Sequence, residues 1–271
     1  MELIKDIIDK KNLENIANYL DKNKQYIINN DYQKIYNDIA YRQFWPQIQI
    51  RDLTNLLYMS NIDPLVYLDS VPSSFLYFDN SGRKTITLPD NIEYIRSYAF
   101  YNCDKFEYIE IPEKTTHIYE SAFEGCKNLN VAFNKGGNLS YIESRAFAHC
   151  KSLKRIDIPA SVVSIADEAF AYCMAAKNVV IPRGINYIDS SAFGDCYDLQ
   201  TVDWHVKYVE CGKDLFRRCS KFSNKPVIIN YDYTIADFKR IAKDSLDQFK
   251  FDNPVKVKCI DGDLTYGDRI S

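Results

Sequence analysis

The chain has 271 residues, 46% of them hydrophobic, with a formal net charge of −3 and a pI near 5.7. That length holds one large domain or two smaller ones, with ample apolar material for a core. A slightly acidic chain argues against a dominant nucleic-acid or anionic-membrane role, because such binding needs a concentrated positive field. The one basic stretch is Lys207, Lys213, Arg217, Arg218 and Lys221, and clustered Lys and Arg are more often a solvated face than a binding patch.

The first eleven residues interleave acids and bases with apolar residues, unlike a signal peptide, and no segment has the apolar length of a membrane span. The expected location is the cytoplasm. Apolar residues at Leu3, Ile4, Ile7 and Ile8, at Leu13, Ile16, Ala17 and Leu20, and at Ile27, Ile28, Ile35 and Ile39 recur at helical spacing. They predict an N-terminal helical domain of three or four helices over residues 1–70. Asn12 and Asp52 are plausible helix starts, and Pro46 and Pro64 punctuate the segment. Two readings stay open: a cap on the first unit of the repeat that begins near residue 71, or a second contact surface. The second would be built on Tyr32, Tyr36, Tyr41, Phe44 and Trp45, aromatic types favoured as interface anchors.

From about residue 71 the chain repeats. Ala-Phe, with Cys after two further residues, occurs at Ala99-Phe100…Cys103, Ala122-Phe123…Cys126, Ala146-Phe147…Cys150, Ala169-Phe170…Cys173 and Ala192-Phe193…Cys196. The steps are 23, 24, 23 and 23 residues, and an altered copy, Leu215-Phe216…Cys219, comes after 23 more. Each unit runs on into an apolar alternation that typically ends in Pro, as in Phe106 to Pro112, Leu153 to Pro159 and Ala176 to Pro182, with Thr85 to Pro89 one period earlier. Alternation of period two predicts a half-buried strand, which Pro stops by removing a donor. Four residues before each Ala-Phe pair stands Ile95, Ile118, Ile142, Ile165 or Ile188, predicting a short helical or extended turn on the opposite side of a coil. One unit cannot bury its own apolar edge, so the units must stack in a row.

This pattern resembles the BspA-like, or Treponema pallidum-type, leucine-rich repeat over residues 71–230. The resemblance implies an α/β leucine-rich-repeat solenoid of six to seven 23-residue repeats. Val71 to Leu76 is similar to a degenerate leading copy. Leu129-Asn-Val-Ala-Phe133 departs from the pattern, lacking the Ile-Pro stop and preceding Gly136-Gly137, and Val202-Asp-Trp204 also lacks Pro. The inserted residue after Phe123 is expected in the Gly-Gly turn, leaving strand register there open. Residues 231–271 resemble the tail of phage and bacterial members. Thr234 to Ile241 reads as a short amphipathic helix, and Val255 to Cys259 with Asp261-Gly262 as a last strand and turn, together a polar-faced C-terminal cap.

The conspicuous residues read as scaffold. The repeat cysteines come one per unit without His partners in register, so core packing is favoured over a metal site, and the Phe column reads as a core ladder. His117, His149 and His205 fall in three repeats with no nucleophile or paired carboxylate at a telling spacing. There is no glycine-rich phosphate loop and no calcium-loop pattern, and Asp261-Gly262-Asp263 is explained by a turn. The chain is therefore read as non-enzymatic, without cofactor or metal.

What the repeat leaves free to vary is the outer face of its strands: Thr85 and Thr87, Tyr108 and Glu110, Arg155 and Asp157, Asn178 and Val180, Thr201 and Asp203. A mixed row of Tyr, Arg, acids and amides suits a protein surface better than a polyanion, and a merely solvated face is the competing reading. The candidate partner-binding residues are Tyr108, Glu110, Arg155, Asp157, Asn178, Thr201 and Asp203, with Tyr41 and Trp45 of the helical head. The expected function is protein–protein interaction by a chain more often monomeric than assembled. The resemblance implies two settings: adhesin-like, or a cytoplasmic phage or mobile-element inhibitor of a host defence complex such as an anti-CRISPR. A structural or virion-associated role is the alternative, and nucleic-acid binding through residues 207–221 a weaker one.

Overall fold

The computed structural model describes residues 70–71, 84–88, 90–133, 137–221, 225–243, 249, 251 and 254–266. The N-terminal helices expected over residues 1–70, with Tyr41 and Trp45, lie outside them, apart from Ser70.

The described chain is a β-coil, and each turn of it has three sides. One side is a seven-stranded parallel sheet of two-residue strands: Ser70–Val71, Tyr94–Ile95, His117–Ile118, Tyr141–Ile142, Ser164–Ile165, Tyr187–Ile188 and Glu210–Cys211. The segment at the Ile column, open between helical and extended in the sequence, is thus extended. The second side carries the longer strands. Thr85–Thr87, Tyr108–Ile111 and Asn130–Phe133 form one sheet. Arg155–Asp157, Asn178–Ile181, Thr201–Trp204, Val227–Tyr231 and Val255–Cys259 form another, which Gly262–Tyr266 closes as an antiparallel hairpin strand. Burial alternates as the period-two pattern requires, for example exposed, buried, exposed, buried through Tyr108–Ile111.

The third side is the Ala-Phe turn. The residue before each Ala or its Leu215 counterpart (Tyr98, Ser121, Arg145, Glu168, Ser191, Asp214) and the residue before each Cys (Asn102, Gly125, His149, Tyr172, Asp195, Arg218) have φ between 53° and 77°. This left-handed region costs a non-glycine residue about 1–2 kcal/mol, and no β-branched residue occupies either column. Its benefit is a third ladder. Tyr98, Phe100 and Asn102 donate their N–H groups to the carbonyls of Glu120, Ala122 and Glu124 in the next unit, at 2.7–3.0 Å. The same three bonds recur from Ser121, Arg145, Glu168 and Ser191 onward. A right-handed helix could not point alternate amides at a neighbour in this way.

Inside, the Phe rings stack face to face: Phe100 on Phe123 at 4.8 Å, then 5.0, 5.2, 5.6 and 5.5 Å through Phe147, Phe170, Phe193 and Phe216. The cysteines do more than fill space. The thiols of Cys126, Cys150, Cys173, Cys196 and Cys219 each donate to the Phe carbonyl of the preceding unit, at 2.9–3.5 Å. Beyond Phe216 the stack ends on Phe251 at 4.8 Å and Phe249 at 6.1 Å, and the Phe216 N–H donates to the Phe249 carbonyl.

The C-terminal segment forms the expected short helix and the strand Val255–Cys259, but that strand is not the last: Gly262, expected in a closing turn, opens a further strand, Gly262–Tyr266. Helix Ile235–Lys243 starts with a reciprocal cap, Asp237 N–H to Thr234 Oγ1 at 3.1 Å and Thr234 Oγ1–H to the Asp237 carboxylate at 2.8 Å. Tyr231, Phe249 and Tyr266 hold its Phe238 against the last strands.

The departure at Leu129–Phe133 has a specific form. Ile109, Ile156, Val179 and Val202 each stand six residues after a repeat cysteine, but Val131, which pairs with Ile109, stands five after Cys126. The strand starts one residue early, and the link to Tyr141 takes up the difference. Among the described residues, no hydrogen bond joins Asn130–Phe133 to Arg155–Asp157, while the short-strand and turn ladders run through.

Candidate interaction surface

The long strands bring the sequence-predicted row to one side of the coil but on two sheets. Tyr108 and Glu110 are exposed on the first, whereas Arg155, Asp157, Asn178, Thr201 and Asp203 lie on the second. On that second sheet the side chains engage one another. Arg155 Nε donates to both oxygens of Asp157, at 2.6 and 2.7 Å. The Asn178 amide donates to Thr201 Oγ1, and the Asn230 amide to Asp203 at 2.7 Å. A face whose polar groups are mutually satisfied is well solvated, and a ligand would have to replace those bonds.

The basic stretch is likewise engaged. Asp195, fully buried, meets Arg217 at 3.5 Å and Arg218 at 2.8 Å and accepts the Tyr197 hydroxyl at 3.1 Å. Lys207 pairs with Asp237 at 3.2 Å, and that hydrogen bond raises its pKa. Three of the five cations that suggested a polyanion site are therefore tied to carboxylates.

Sequence reasoning missed a cluster on the short-strand side. The first residues of three consecutive short strands, Tyr94, His117 and Tyr141, stand in register across the sheet. His117 lies 4.6 Å from Tyr141 with planes 20° apart, 5.6 Å from Tyr119, and 5.8 Å from Tyr94. The Arg96 guanidinium sits over both Tyr94 and Tyr119, at 5.1 and 5.5 Å. Thr116 Oγ1 fixes the ring through His117 Nδ1 at 2.9 Å. The His117 ring is stacked with Tyr119 and Tyr141 while Tyr94 is tilted against it, so His117 is engaged by its neighbours and the cluster suits hydrogen bonding and rim contacts more than stacking of bases. The recurring Tyr-Ile dipeptide of these strands was the available signal. Tyr98 and Tyr101, exposed and in edge contact at 5.5 Å, stand on the turn beside the same unit.

The other histidines stand apart. His149 stacks on Tyr172 at 4.3 Å, and burial lowers its pKa. His205 pairs with Asp232 at 2.9 Å, and Arg183 reaches the same carboxylate at 3.2 Å. Burial pushes the thiols of Cys150, Cys173 and Cys219 well up, and that of Cys211 to about 12. Among the described residues no three His, Cys, Asp or Glu side chains form a metal-binding group. No described helix is long and apolar enough to cross a membrane.

Among solved structures, the Treponema pallidum leucine-rich-repeat protein TpLRR is 23% identical, over 57% of this chain and 75% of its own, with a TM-score of 0.44. A leucine-rich-repeat protein from Bacteroides ovatus is 22% identical over 60% of this chain and 58% of its own, at 0.37. The pneumococcal vaccine antigen PcpA is 17% identical at 0.47, and the match spans 65% of this chain and 41% of the antigen's. No curated protein sequence matches the chain. The BspA type leucine-rich-repeat signature matches residues 73–173 and 140–257, in six copies. With that signature over most of its length, and with the repeat seen as strand, turn and stacked Phe, the chain belongs to the BspA-type leucine-rich-repeat family.

Proposed function

We propose that this protein is a non-enzymatic scaffold that binds a protein partner through the outer surface of its coil. The observation that carries the reading is the Tyr94, Arg96, His117, Tyr119 and Tyr141 cluster, in which aromatic and Arg side chains span three adjacent units. These residue types dominate the energetics of protein interfaces. The hydrogen-bonded short-strand sheet holds them in register, which lowers the ordering cost of binding and favours affinity. The cysteine thiols serve as hydrogen-bond donors in the fold, which supports a reducing compartment such as the cytoplasm. The surface would serve a partner equally in an adhesin-like setting or in inhibition of a host complex, and neighbouring genes would separate the two.

The test is affinity capture from the native host with mass spectrometry, repeated with two double variants of the full chain. Arg96→Ala with Tyr141→Ala should lose the captured protein, with an affinity drop of about tenfold or more. Arg155→Ala with Asn178→Ala, in the self-satisfied long-strand row, should retain it. Capture unaffected by the first pair and abolished by the second would move the interface to the long-strand face. A monodisperse protein that captures nothing would count against the scaffold reading.

A further inference from the structure

We infer that the coil is jointed between Asn130–Phe133 and Arg155–Asp157, so that its long-strand side can open while the other two sides act as the pivot. Three observations meet there. The strand Asn130–Phe133 starts one residue early relative to its cysteine, so that Val131 and Phe133 face Ile109 and Ile111 in register. The next strand, whose Ile156 stands six residues after Cys150, has no ladder partner on that edge among the described residues, and its ladder begins anew with Asn178–Ile181. The Ser152 N–H to Lys127 carbonyl bond, 3.0 Å, is the last one on the arm leading into the gap.

On the remaining two sides the coil is closed. His117–Ile118 pairs with Tyr141–Ile142, which pairs with Ser164–Ile165. Ser121, Phe123 and Gly125 donate to Ser144, Ala146 and Ala148 across the turns. Phe123 and Phe147 remain stacked at 5.0 Å. A repeat held on two sides and released on the third can rotate about the held edges without breaking a long-strand ladder, whereas opening any other described interface between long strands would break one. Elsewhere the third side repeats faithfully: the Thr201 N–H donates to Lys177 at 3.1 Å and the His205 N–H to Ile181 at 2.9 Å. Arg155 and Asp157 are the equivalents of Thr201 and Asp203 without such a neighbour. The joint separates Tyr108 and Glu110 from Arg155 and Asp157, so bending changes the spacing of the two halves of that face. It does not rest on the proposed protein-binding role.

Two measurements on the full chain test it. Hydrogen exchange on the unmodified protein should show the Arg155 and Asp157 amides exchanging about tenfold or more faster than those of Thr201 and Asp203. Electron–electron distance measurement between nitroxides reads the bending itself, with the half-buried Cys103, Cys211 and Cys259 replaced by Ser. Labels at Tyr108→Cys and Arg155→Cys span the joint, and labels at Arg155→Cys and Thr201→Cys lie wholly beyond it. The distance distribution of the first pair should be about twice as wide as that of the second. Equal widths, or equal protection of the two pairs of amides in the unmodified chain, would overturn the joint.

Discussion

The turn side and the long-strand side of the coil are built from the same repeat and respond differently to variation. On the turn side the same two left-handed residues occur in all six units, with three inter-unit hydrogen bonds at each of the five junctions between them and unbroken Phe stacking. On the long-strand side one unit shifts by a residue, two units lose the terminal Pro, and the sheet divides in two. The difference follows from backbone geometry. A strand is an energy minimum for any β-former, and an early start is corrected in the next loop. A left-handed residue is a strained state that survives only where its neighbours fix it. The turn side is therefore where the fold is specified, and the strand side where it tolerates change.

The largest expected effect probes that specification. Phe170→Ala removes a ring fully buried between Phe147 and Phe193 and should cost about 3–5 kcal/mol by urea unfolding. A loss below about 1 kcal/mol would show that the stack is not what holds the turns.

Next in size, Ser191→Val introduces a β-branched side chain at φ 53° in a buried turn, whereas Thr201→Val exchanges one β-branched side chain for another on the strand face. The first should destabilise by about 2 kcal/mol and the second by less than about 0.5. Equal effects from the two would erase the contrast between the sides.

The smallest effect lies at the C-terminal helix. The Asp237 carboxyl is held below its usual value chiefly by the Thr234 hydrogen bond, with those from Lys207 and Tyr208 adding to it, and together they outweigh the opposing effect of desolvation. A depressed carboxylate pKa contributes stability at neutral pH that is lost as pH falls through it. Amides of Ile235–Lys243 should therefore lose exchange protection below about pH 4, before the repeats do, and Asp237→Asn should remove most of that pH dependence. Simultaneous loss across helix and repeats would show that the helix is no separate unit.

Much of this was legible in the sequence, for identifiable reasons. The Ala-Phe and Cys columns are nearly invariant because each meets the same columns in the neighbouring units, Phe ring on Phe ring and Cys thiol on Phe carbonyl, and period-two alternation marked the long strands. The short strands were ambiguous because two residues, such as His117–Ile118, cannot show an alternation. The left-handed columns were hidden by residue identity: Tyr98, Ser121, Arg145 and Glu168 share no side-chain chemistry, only the lack of a β-branch. Asn102, Gly125 and Asp195 in the second column were the better clue. The slip at Val131 was masked because Leu129 keeps its place after Cys126. The cluster around His117 draws on three units, so its one local signal is the recurring Tyr-Ile dipeptide, and the engagement of Arg217 and Arg218 by Asp195 depends on a neighbouring unit that their own segment does not reveal.

The ladder of the turns also has a polarity. Every unit gives its N–H groups forward and its carbonyls backward, so a coil of any length ends with donors and a bare aromatic face. Left so, its last unit would be a template for the first unit of another copy, and the protein a monomer for head-to-tail polymerisation. Phe249 and Phe251 answer both demands, one with a carbonyl for the Phe216 N–H and both with rings over Phe216. Together they cover the end of the Phe stack, in the manner of a terminator carried by the chain itself.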